Sequence, residues 1–343
     1  MAESSLIPGL TDDVAELCLS RIPRCDFRII SQVCRRWRTY LESEHFTAVR
    51  KLTGPVEEFL CVLMEDSAWG VSYWFGEVFD ASGNNLGQIP RVPGTYKWSF
   101  GLAVLDGGKI VFIGGYYNDP IYEVEGLAME RTRISSSADV YEFDPAFNSW
   151  RKLAAMNIAR HNFAFAVVDS LLYVLRGEDS DRNRLLSAEV YNPETNQWRL
   201  MDCPNRPVWG DFAFSFKSKL YVIEIYDPKT ETWEELDSDQ TEDVYTYTVI
   251  RNKVYFLERH TRGMGVFDLE ENSWSWVSAP PDRYRDEYRF RLGEWNNEVI
   301  FIGRTGGRNA LIRNLDNKEN ARKWIATPIK PSGGSSTNVL IKF

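Results

Sequence analysis

Apolar residues follow two different periods along the chain, and the change between them divides it into two parts. From Leu10 to about Leu41 they recur at the three- and four-residue spacing of amphipathic helices. One stripe holds Val14, Leu17, Cys18 and Ile22, and a second holds Phe27, Ile30, Val33, Cys34, Trp37 and Leu41. Beyond residue 58, short apolar runs between turn residues are typical of strands. The pattern predicts a small helical head before a larger β region.

The ends of the helices in the head can be predicted from single residues. Thr11 is a candidate N-cap, with Asp12 and Asp13 placing negative charge on the first turn. Pro23 should end this helix before Asp26 caps a second one. About fifty residues of this kind bury little apolar area, so we expect the head to leave an apolar surface for a partner.

The motif in the head extends from Leu10-Thr11-Asp12-Asp13-Val14 through Ile22-Pro23, Asp26-Phe27 and Ile30 to Val33-Cys34-Arg35-Arg36-Trp37. It resembles the F-box, with Thr11 where that family usually has Pro. The resemblance implies docking on a Skp-type adaptor and, through it, on a cullin and a RING protein. It assigns these adaptor contacts: Leu10, Thr11, Val14, Cys18, Ile22, Pro23, Ile30, Val33 and Trp37. The alternative is a helical cap that packs only on its own chain.

A short phrase recurs through the β region, with Asp or Asn standing six residues before Trp. Its four full copies are Tyr141–Trp150, Val190–Trp198, Ile225–Trp233 and Val266–Trp274. The Asp or Asn suits the first position of a turn, so each copy predicts a hairpin, and its Trp is expected to fill space between neighbouring sheets. A fifth copy ending at Trp324 is stretched, and a sixth has Leu86 in place of the ring.

Upstream of most copies lies a second predicted hairpin, which makes each unit four short strands. Such units predict a β-propeller, whose blades bury their faces by stacking around a ring. With Gly114-Gly115 after one second strand, the repeats resemble kelch repeats. We therefore expect a mainly β fold, a six-bladed kelch propeller preceded by a small α-helical F-box domain. The expected boundaries are a head over 1–52, a short stiff linker over 53–57 containing Gly54-Pro55, and a propeller over 58–343.

Two features of the ring are less regular than the rest. The first unit is incomplete, and the strand-like segment Thr337–Phe343 is expected to complete it and close the ring, which removes exposed sheet edges. The unit around residues 208–236 is short, because its second strand near Ile223 runs directly into Ile225-Tyr226. This spacing predicts a truncated blade that is three-stranded or locally distorted.

Composition and charge narrow the range of partners. Aromatic residues make up 14% of the chain and Trp numbers 12, which favours packed β-sheet. The net charge is −9, so we expect neither a nucleic-acid nor an anionic-membrane partner. No apolar run is long enough for a signal peptide or a membrane span, and the five cysteines form no C-x-x-C pair. These observations indicate a soluble protein with reduced thiols in the cytoplasm, the nucleus or both.

No motif points to catalysis or to a cofactor. His45, His161 and His260 are far apart in sequence, and no phosphate-binding or metalloprotease motif accompanies them. The kelch resemblance implies a protein target on the face formed by the loops between strands two and three and between blades. Carried onto this chain, that face contains Tyr96, Trp98, Tyr116, Tyr117, Arg160, His161, Arg206, Trp209, Arg259, Arg285, Tyr288 and Arg304.

Together, the two resemblances imply a non-catalytic substrate receptor of a Skp/cullin/F-box ubiquitin ligase. The rivals are a kelch scaffold that binds a partner without promoting its degradation, and a propeller enzyme with a metal site.

Overall fold

The computed structural model describes residues 5–55, 57–68, 71–119, 133–145, 147–204, 212–222, 224–235, 244–258, 263–281, 290–303, 308–313, 323–333 and 336–342. The head contains α1 (Asp12–Ser20), α2 (Phe27–Ile30), α3 (Arg35–Leu41) and α4 (Glu44–Thr53), with a 3₁₀ turn at Arg24–Asp26. A second 3₁₀ turn, Asp106–Gly108, lies in the β region. Among the described residues, no helix is both long and apolar enough to cross a membrane.

The β region follows the head in chain order. Its first thirteen strands are β1 (Glu58–Ala68), β2 (Val71–Asp80), β3 (Asn85–Ile89), β4 (Gly101–Leu105), β5 (Lys109–Ile113), β6 (Tyr116–Asp119), β7 (Arg133–Ser136), β8 (Val140–Asp144), β9 (Ser149–Lys152), β10 (Ala164–Val168), β11 (Leu171–Leu175), β12 (Ala188–Asn192) and β13 (Gln197–Met201). The others are β14 (Phe214–Phe216), β15 (Lys219–Tyr221), β16 (Glu224–Asp227), β17 (Thr232–Glu235), β18 (Val244–Ile250), β19 (Lys253–Glu258), β20 (Gly263–Asp268), β21 (Ser273–Ser278), β22 (Phe290–Trp295), β23 (Glu298–Gly303), β24 (Leu311–Arg313), β25 (Trp324–Ala326) and β26 (Ser336–Lys342).

Of the described strands, 24 form six antiparallel four-stranded sheets, the six blades of a propeller, and β6 pairs with β7 in a separate two-stranded sheet. Blade 1 has the order β26-β1-β2-β3, and blade 2 has the order β4-β5-β8-β9. Blades 3 to 6 are β10–β13, β14–β17, β18–β21 and β22–β25, each in sequential order. Because β26 pairs antiparallel with β1, from Glu58 opposite Lys342 to Met64 opposite Ser336, the C-terminal strand completes blade 1. The predicted propeller and its closure are confirmed.

The repeated phrase folds as the turn between the third and fourth strand of a blade. The side chain that opens the turn accepts a hydrogen bond from the backbone N–H two residues later. Glu194 donates to Asn192 and Lys229 donates to Asp227, both at 2.9 Å. Two residues before the Trp the backbone has positive φ in four blades, at Asn148, Asn196, Glu231 and Asn272. Asn tolerates this conformation better than most residues, which accounts for its recurrence there.

In four blades the repeated Trp connects the blade to the chain segment that leads into it. These four half-buried indoles donate their Nε1–H to a backbone carbonyl in that segment: Trp150 to Pro90 at 2.9 Å, Trp198 to Ala154 at 2.9 Å, Trp233 to Asp202 at 3.3 Å and Trp324 to Ser278 at 3.1 Å. The rings also pack against the apolar clusters between neighbouring blades. The Trp therefore fills the space between sheets and fixes the chain between them.

Blade 4 corrects one prediction. The segment around 208–236 forms four strands, so the three-stranded alternative is wrong. Two features make this blade shorter than its neighbours. Its strands β14 and β15 have three residues each, and only two residues separate β15 from β16. The backbone N–H of Val222 donates to the carbonyl of Glu224 at 2.8 Å. The blade is shortened rather than reduced in strand number.

The head has its own apolar core, formed by Leu6, Ala15, Leu19, Phe27, Leu41 and Phe46. Two of its helices begin with side-chain caps that the sequence did not suggest, Cys34 accepting from the N–H of Trp37 and Ser43 from that of Phe46. Thr11 and Asp26 stand at N-cap positions but make no side-chain cap bond. The carboxylate of Asp12 instead accepts the N–H of Leu6 at 2.6 Å, which ties the preceding segment to α1.

Candidate functional site

The head exposes an apolar surface that its own core does not use. Leu10, Val14 and Leu17 follow helical spacing and are 37%, 44% and 39% exposed, while Ala15 and Leu19 on the opposite side of α1 are buried. Ile29 and Val33 are 67% and 61% exposed around the end of α2. Exposed apolar side chains in such number on so small a unit are typical of a protein-binding surface.

The predicted adaptor contacts divide into two groups. Six are exposed: Leu10, Thr11, Val14, Cys18, Pro23 and Val33. The other three, Ile22, Ile30 and Trp37, are half-buried and pack against the core of the head. Trp37 also donates its indole N–H to the carbonyl of Leu6 at 2.7 Å, so it stabilises the head itself.

Two exposed residues were missing from the predicted contacts. Leu17 lies three residues after Val14, and the helical stripe already contained it. Ile29 precedes Ile30, and nothing in the pair indicates which of the two faces solvent.

On the propeller, aromatic rings form a chain along the connections of blades 1 to 3. Trp74 stacks on Tyr96 with ring centroids 5.6 Å apart, and Tyr96 meets the edge of Trp98 at 4.7 Å. Trp98 stacks on Tyr116 at 5.6 Å, and Tyr116 contacts His161 at 4.9 Å. Tyr96, Trp98, Tyr116 and Tyr117 are half-exposed. Three of the four predicted target-binding aromatics in this region, Tyr96, Trp98 and Tyr116, are thus in contact and accessible, and Tyr117 is half-exposed on the same strand as Tyr116.

The hairpin formed by β6 and β7 supports this aromatic chain, and the sequence did not predict it. Tyr116 and Tyr117 were expected to lie in a loop, but Tyr116 pairs with Ser136 and Tyr117 with Ser135. Trp98 and Tyr116 exchange two backbone hydrogen bonds of 2.8 and 2.9 Å, which join the hairpin to the segment entering blade 2. The backbone N–H of Ser136 donates to the hydroxyl of Ser180 at 2.9 Å, so the hairpin also contacts blade 3.

Arg160 was predicted to bind a target, and the structure contradicts this. Its side chain is fully buried and forms a 2.8 Å ion pair with Glu189, which is equally buried. The same guanidinium donates to the carbonyls of Arg176 and Ser187. Burial lowers the pKa of Arg160, and the hydrogen bond and charge of Glu189 oppose that shift. The residue therefore stabilises blade 3 and is inaccessible to a partner.

His161 is also buried, which corrects its prediction as a target contact. Its Nδ1 lies 2.9 Å from the hydroxyl of Ser136, and its Nε2 lies 3.5 Å from a carboxylate oxygen of Glu178. Burial lowers the pKa of His161, although Glu178 raises it. His161 and Glu178 also exchange backbone hydrogen bonds, and the contact between the ring and Ser136 joins blade 3 to the β6–β7 hairpin.

The other six predicted target contacts, Arg206, Trp209, Arg259, Arg285, Tyr288 and Arg304, lie outside the described residues. Within the part of the chain that the structure describes, no three His, Cys, Asp or Glu side chains are grouped so that they could hold a metal ion. Of the four free cysteines described, Cys18 and Cys34 are exposed and Cys61 is buried, which raises the pKa of its thiol.

Comparisons with known proteins agree with this two-part arrangement. Residues 7–48 match the F-box domain, and residues 77–320 match the FKB95, Kelch-repeats domain. The putative F-box/kelch-repeat protein At1g27420 of Arabidopsis thaliana is 61% identical, over 100% of this chain and 99% of its own length. The F-box/kelch-repeat protein At1g67480 of the same plant is 32% identical, over 99% of this chain and 90% of its own length.

Proposed function

This chain belongs to the F-box/kelch-repeat family, and on that premise we propose that it is the substrate-receptor subunit of a Skp/cullin/F-box ubiquitin ligase. In this proposal the head binds a Skp-type adaptor and, through it, a cullin and a RING protein. The propeller binds a protein that is thereby presented for ubiquitination and degradation. Proteins of this family are generally non-catalytic, and ubiquitin transfer would be carried out by the other subunits.

The exposed apolar surface of the head is the observation that carries the proposal. The head's own chain leaves five apolar side chains exposed, those of Leu10, Val14, Leu17, Ile29 and Val33. At about 25 cal/mol per Å² of apolar area, covering side chains of this size would supply several kcal/mol of binding free energy. Such an exposed surface is costly to keep in water unless a partner covers it, so it favours adaptor binding over a purely intramolecular cap.

The aromatic chain on the propeller supports the second half of the proposal. Trp98, Tyr116 and Tyr117 combine large apolar area with polar atoms, and such residues dominate the energetics of protein interfaces. Their positions are fixed by the hairpin and by the buried His161, so binding a target would cost little ordering entropy. We propose this part of the propeller as the target-binding surface.

The adaptor half can be tested by measuring the affinity of the purified chain for a Skp-type adaptor by calorimetry. Val14→Asp with Val33→Asp should weaken binding at least a hundredfold, because each carboxylate would have to be desolvated in an apolar interface. Leu200→Asp is a matched control, because Leu200 is 52% exposed but lies on β13 of the propeller. It should bind like the unmutated chain. Absence of adaptor binding by the unmutated chain would refute the proposal.

A further inference from the structure

One residue of the propeller packs into the core of the head. Phe147 lies in the turn between β8 and β9 of blade 2 and contacts the apolar cluster that contains Phe27, Leu41 and Phe46. Three residues after the turn-opening Asp or Asn, the other copies of the phrase have Thr195, Thr230 and Glu271. A polar residue is thus the usual choice at this exposed turn, and the aromatic ring occurs on the blade that meets the head.

Other contacts surround Phe147 at the same junction. The Cγ2 methyl of Thr47 on α4 lies 3.4 Å from where a Cβ would stand on Gly107 of blade 2. Lys51 and Asp106 approach to 4.0 Å, although both are exposed, so this pair adds little energy. Burial lowers the pKa of Arg24, whereas the charge of Asp144 on β8 of blade 2 raises it. The head therefore meets blade 2 through apolar packing with charges at its margin.

The linker is fixed at the same time. The buried guanidinium of Arg50 donates to the carbonyls of Ser20 and Ile22 at 2.7 Å each, and it pairs with Glu57 just before β1. A Cβ on Gly54 would lie 2.7 Å from the carbonyl oxygen of Arg50, so glycine is needed for this close approach. The covalent connection and the contact at Phe147 thus hold the head at two separate places.

We propose that Phe147 is a positioning residue that locks the head onto blade 2 and thereby fixes the orientation of the target-binding surface relative to the adaptor. Two attachments prevent the rotation of the head relative to the propeller that a single linker would allow. The inference rests on the proposed function for its biological meaning, because a fixed receptor raises the effective concentration of the target's lysines near the conjugating enzyme. The contact at Phe147 itself requires neither the adaptor nor a target, so it can be tested on this chain alone.

Small-angle X-ray scattering of the full chain tests the lock. Phe147→Thr introduces the residue found at the matching turns of blades 3 and 4. A single rigid body should fit the scattering of the unmutated chain. The scattering of the variant should require an ensemble of head positions and should give a larger maximum dimension. Phe147→Leu should restore the compact scattering, because it retains an apolar side chain. Thr195→Ala at the equivalent turn of blade 3 is the matched control and should leave the curve unchanged.

A second variant disrupts the same contact by a substitution in the head. Thr47→Asp places a charge opposite Gly107 and should produce the same ensemble. Both variants should keep the affinity for a Skp-type adaptor within about twofold, which separates loss of the lock from unfolding of the head. Scattering curves of Phe147→Thr and Thr47→Asp that superimpose on that of the unmutated chain would overturn the lock. Failure of the unmutated chain to bind the adaptor would refute the proposed function and leave the scattering result standing.

Discussion

At the scale of single residues, three buried carboxylates of the propeller have hydrogen-bond or ion-pair partners. Glu189 accepts the N–H groups of Asn157 and Ile158, at 2.7 and 3.0 Å, as well as the guanidinium of Arg160. Glu77 accepts the hydroxyl of Ser332 at 2.7 Å, just before the closing strand, and Glu224 pairs with Arg176 at 2.7 Å. All three carboxylates lie three residues before the Asp or Asn of the repeated phrase or of its sixth copy. A carboxylate at this position can hold the connections between blades.

Replacement of Arg160 should destabilise the protein rather than remove a target contact. Arg160→Met leaves the buried Glu189 without its counter-charge and is expected to cost about 3 kcal/mol of unfolding free energy. Urea denaturation measures this cost. The control is Arg38→Met, which breaks the exposed Arg38–Glu42 pair and should change stability by less than about 0.5 kcal/mol. An Arg160→Met protein of normal stability that no longer binds its target would restore the original prediction.

The Asp268 carboxylate predicts a pH dependence of stability. Hydrogen bonds from Lys253 and from the backbone N–H groups of Glu271 and Glu270 lower the pKa of Asp268 to about 2 from its ordinary 3.8. Because this pKa is lower in the folded than in the unfolded protein, the ionised carboxylate stabilises the fold at any pH above the unfolded-state pKa. This contribution to stability is lost as the pH falls from about 4 to 2. Asp268→Asn should therefore reduce stability at pH 6 and have a shrinking effect toward pH 2, as followed by acid unfolding. The exposed Asp181→Asn serves as control, and an effect of Asp268→Asn that does not change with pH would contradict this reasoning.

At the scale of the element, the indoles of four repeated Trp residues each attach a blade to the segment before it. Trp198→Phe keeps an aromatic ring but leaves the Ala154 carbonyl without its donor, so we expect a loss of about 1–3 kcal/mol. Trp276→Phe on β21 is the matched control, because that ring is 53% exposed. Its cost should stay below about 0.5 kcal/mol in the same denaturation experiment. Equal losses in both variants would mean that ring size alone explains the effect.

The sequence was most informative about elements set by local chemistry. The turn from Asp or Asn to Trp depends on a few adjacent residues, so its recurrence predicted the blades and their closure. Arg176-Gly177 follows the second strand of blade 3 as Gly114-Gly115 follows that of blade 2, and both residues adopt the positive φ found at Gly114-Gly115. A Cβ at Gly177 would lie 2.6 Å from the carbonyl oxygen of His161, which explains why one glycine persists.

Features that depend on distant segments could not be predicted in this way. Arg160 and His161 follow a loop pattern, and their burial results from blade 3 and the β6–β7 hairpin closing over them. Polar residues of this kind are usually exposed, so only their partners Glu189 and Ser136 explain their position. The same holds for Phe147, whose apolar side chain in a polar turn becomes meaningful once the head is seen beside it.

At the scale of the whole molecule, the two proposed binding surfaces lie on differently charged units. Residues 1–52 hold eight basic and seven acidic side chains, so the excess acid belongs to the remaining 291, which hold 32 basic and 42 acidic residues. The head offers apolar side chains around α1 and α2, whereas the propeller offers half-exposed aromatic rings on its connections. Because separate residues form the two surfaces, an adaptor and a target can be bound through different parts of the chain.

The most direct test of the account is whether a protein bound by the propeller is ubiquitinated only when the head can bind the adaptor. Proteins labelled by proximity to the Val14→Asp, Val33→Asp variant in plant cells would be purified and offered to a ligase reconstituted with either chain. We expect at least one of them to accumulate around the variant and to receive ubiquitin only with the unmutated chain. Captured proteins that bind both chains equally and receive no ubiquitin with either would contradict it and favour a non-degradative scaffold.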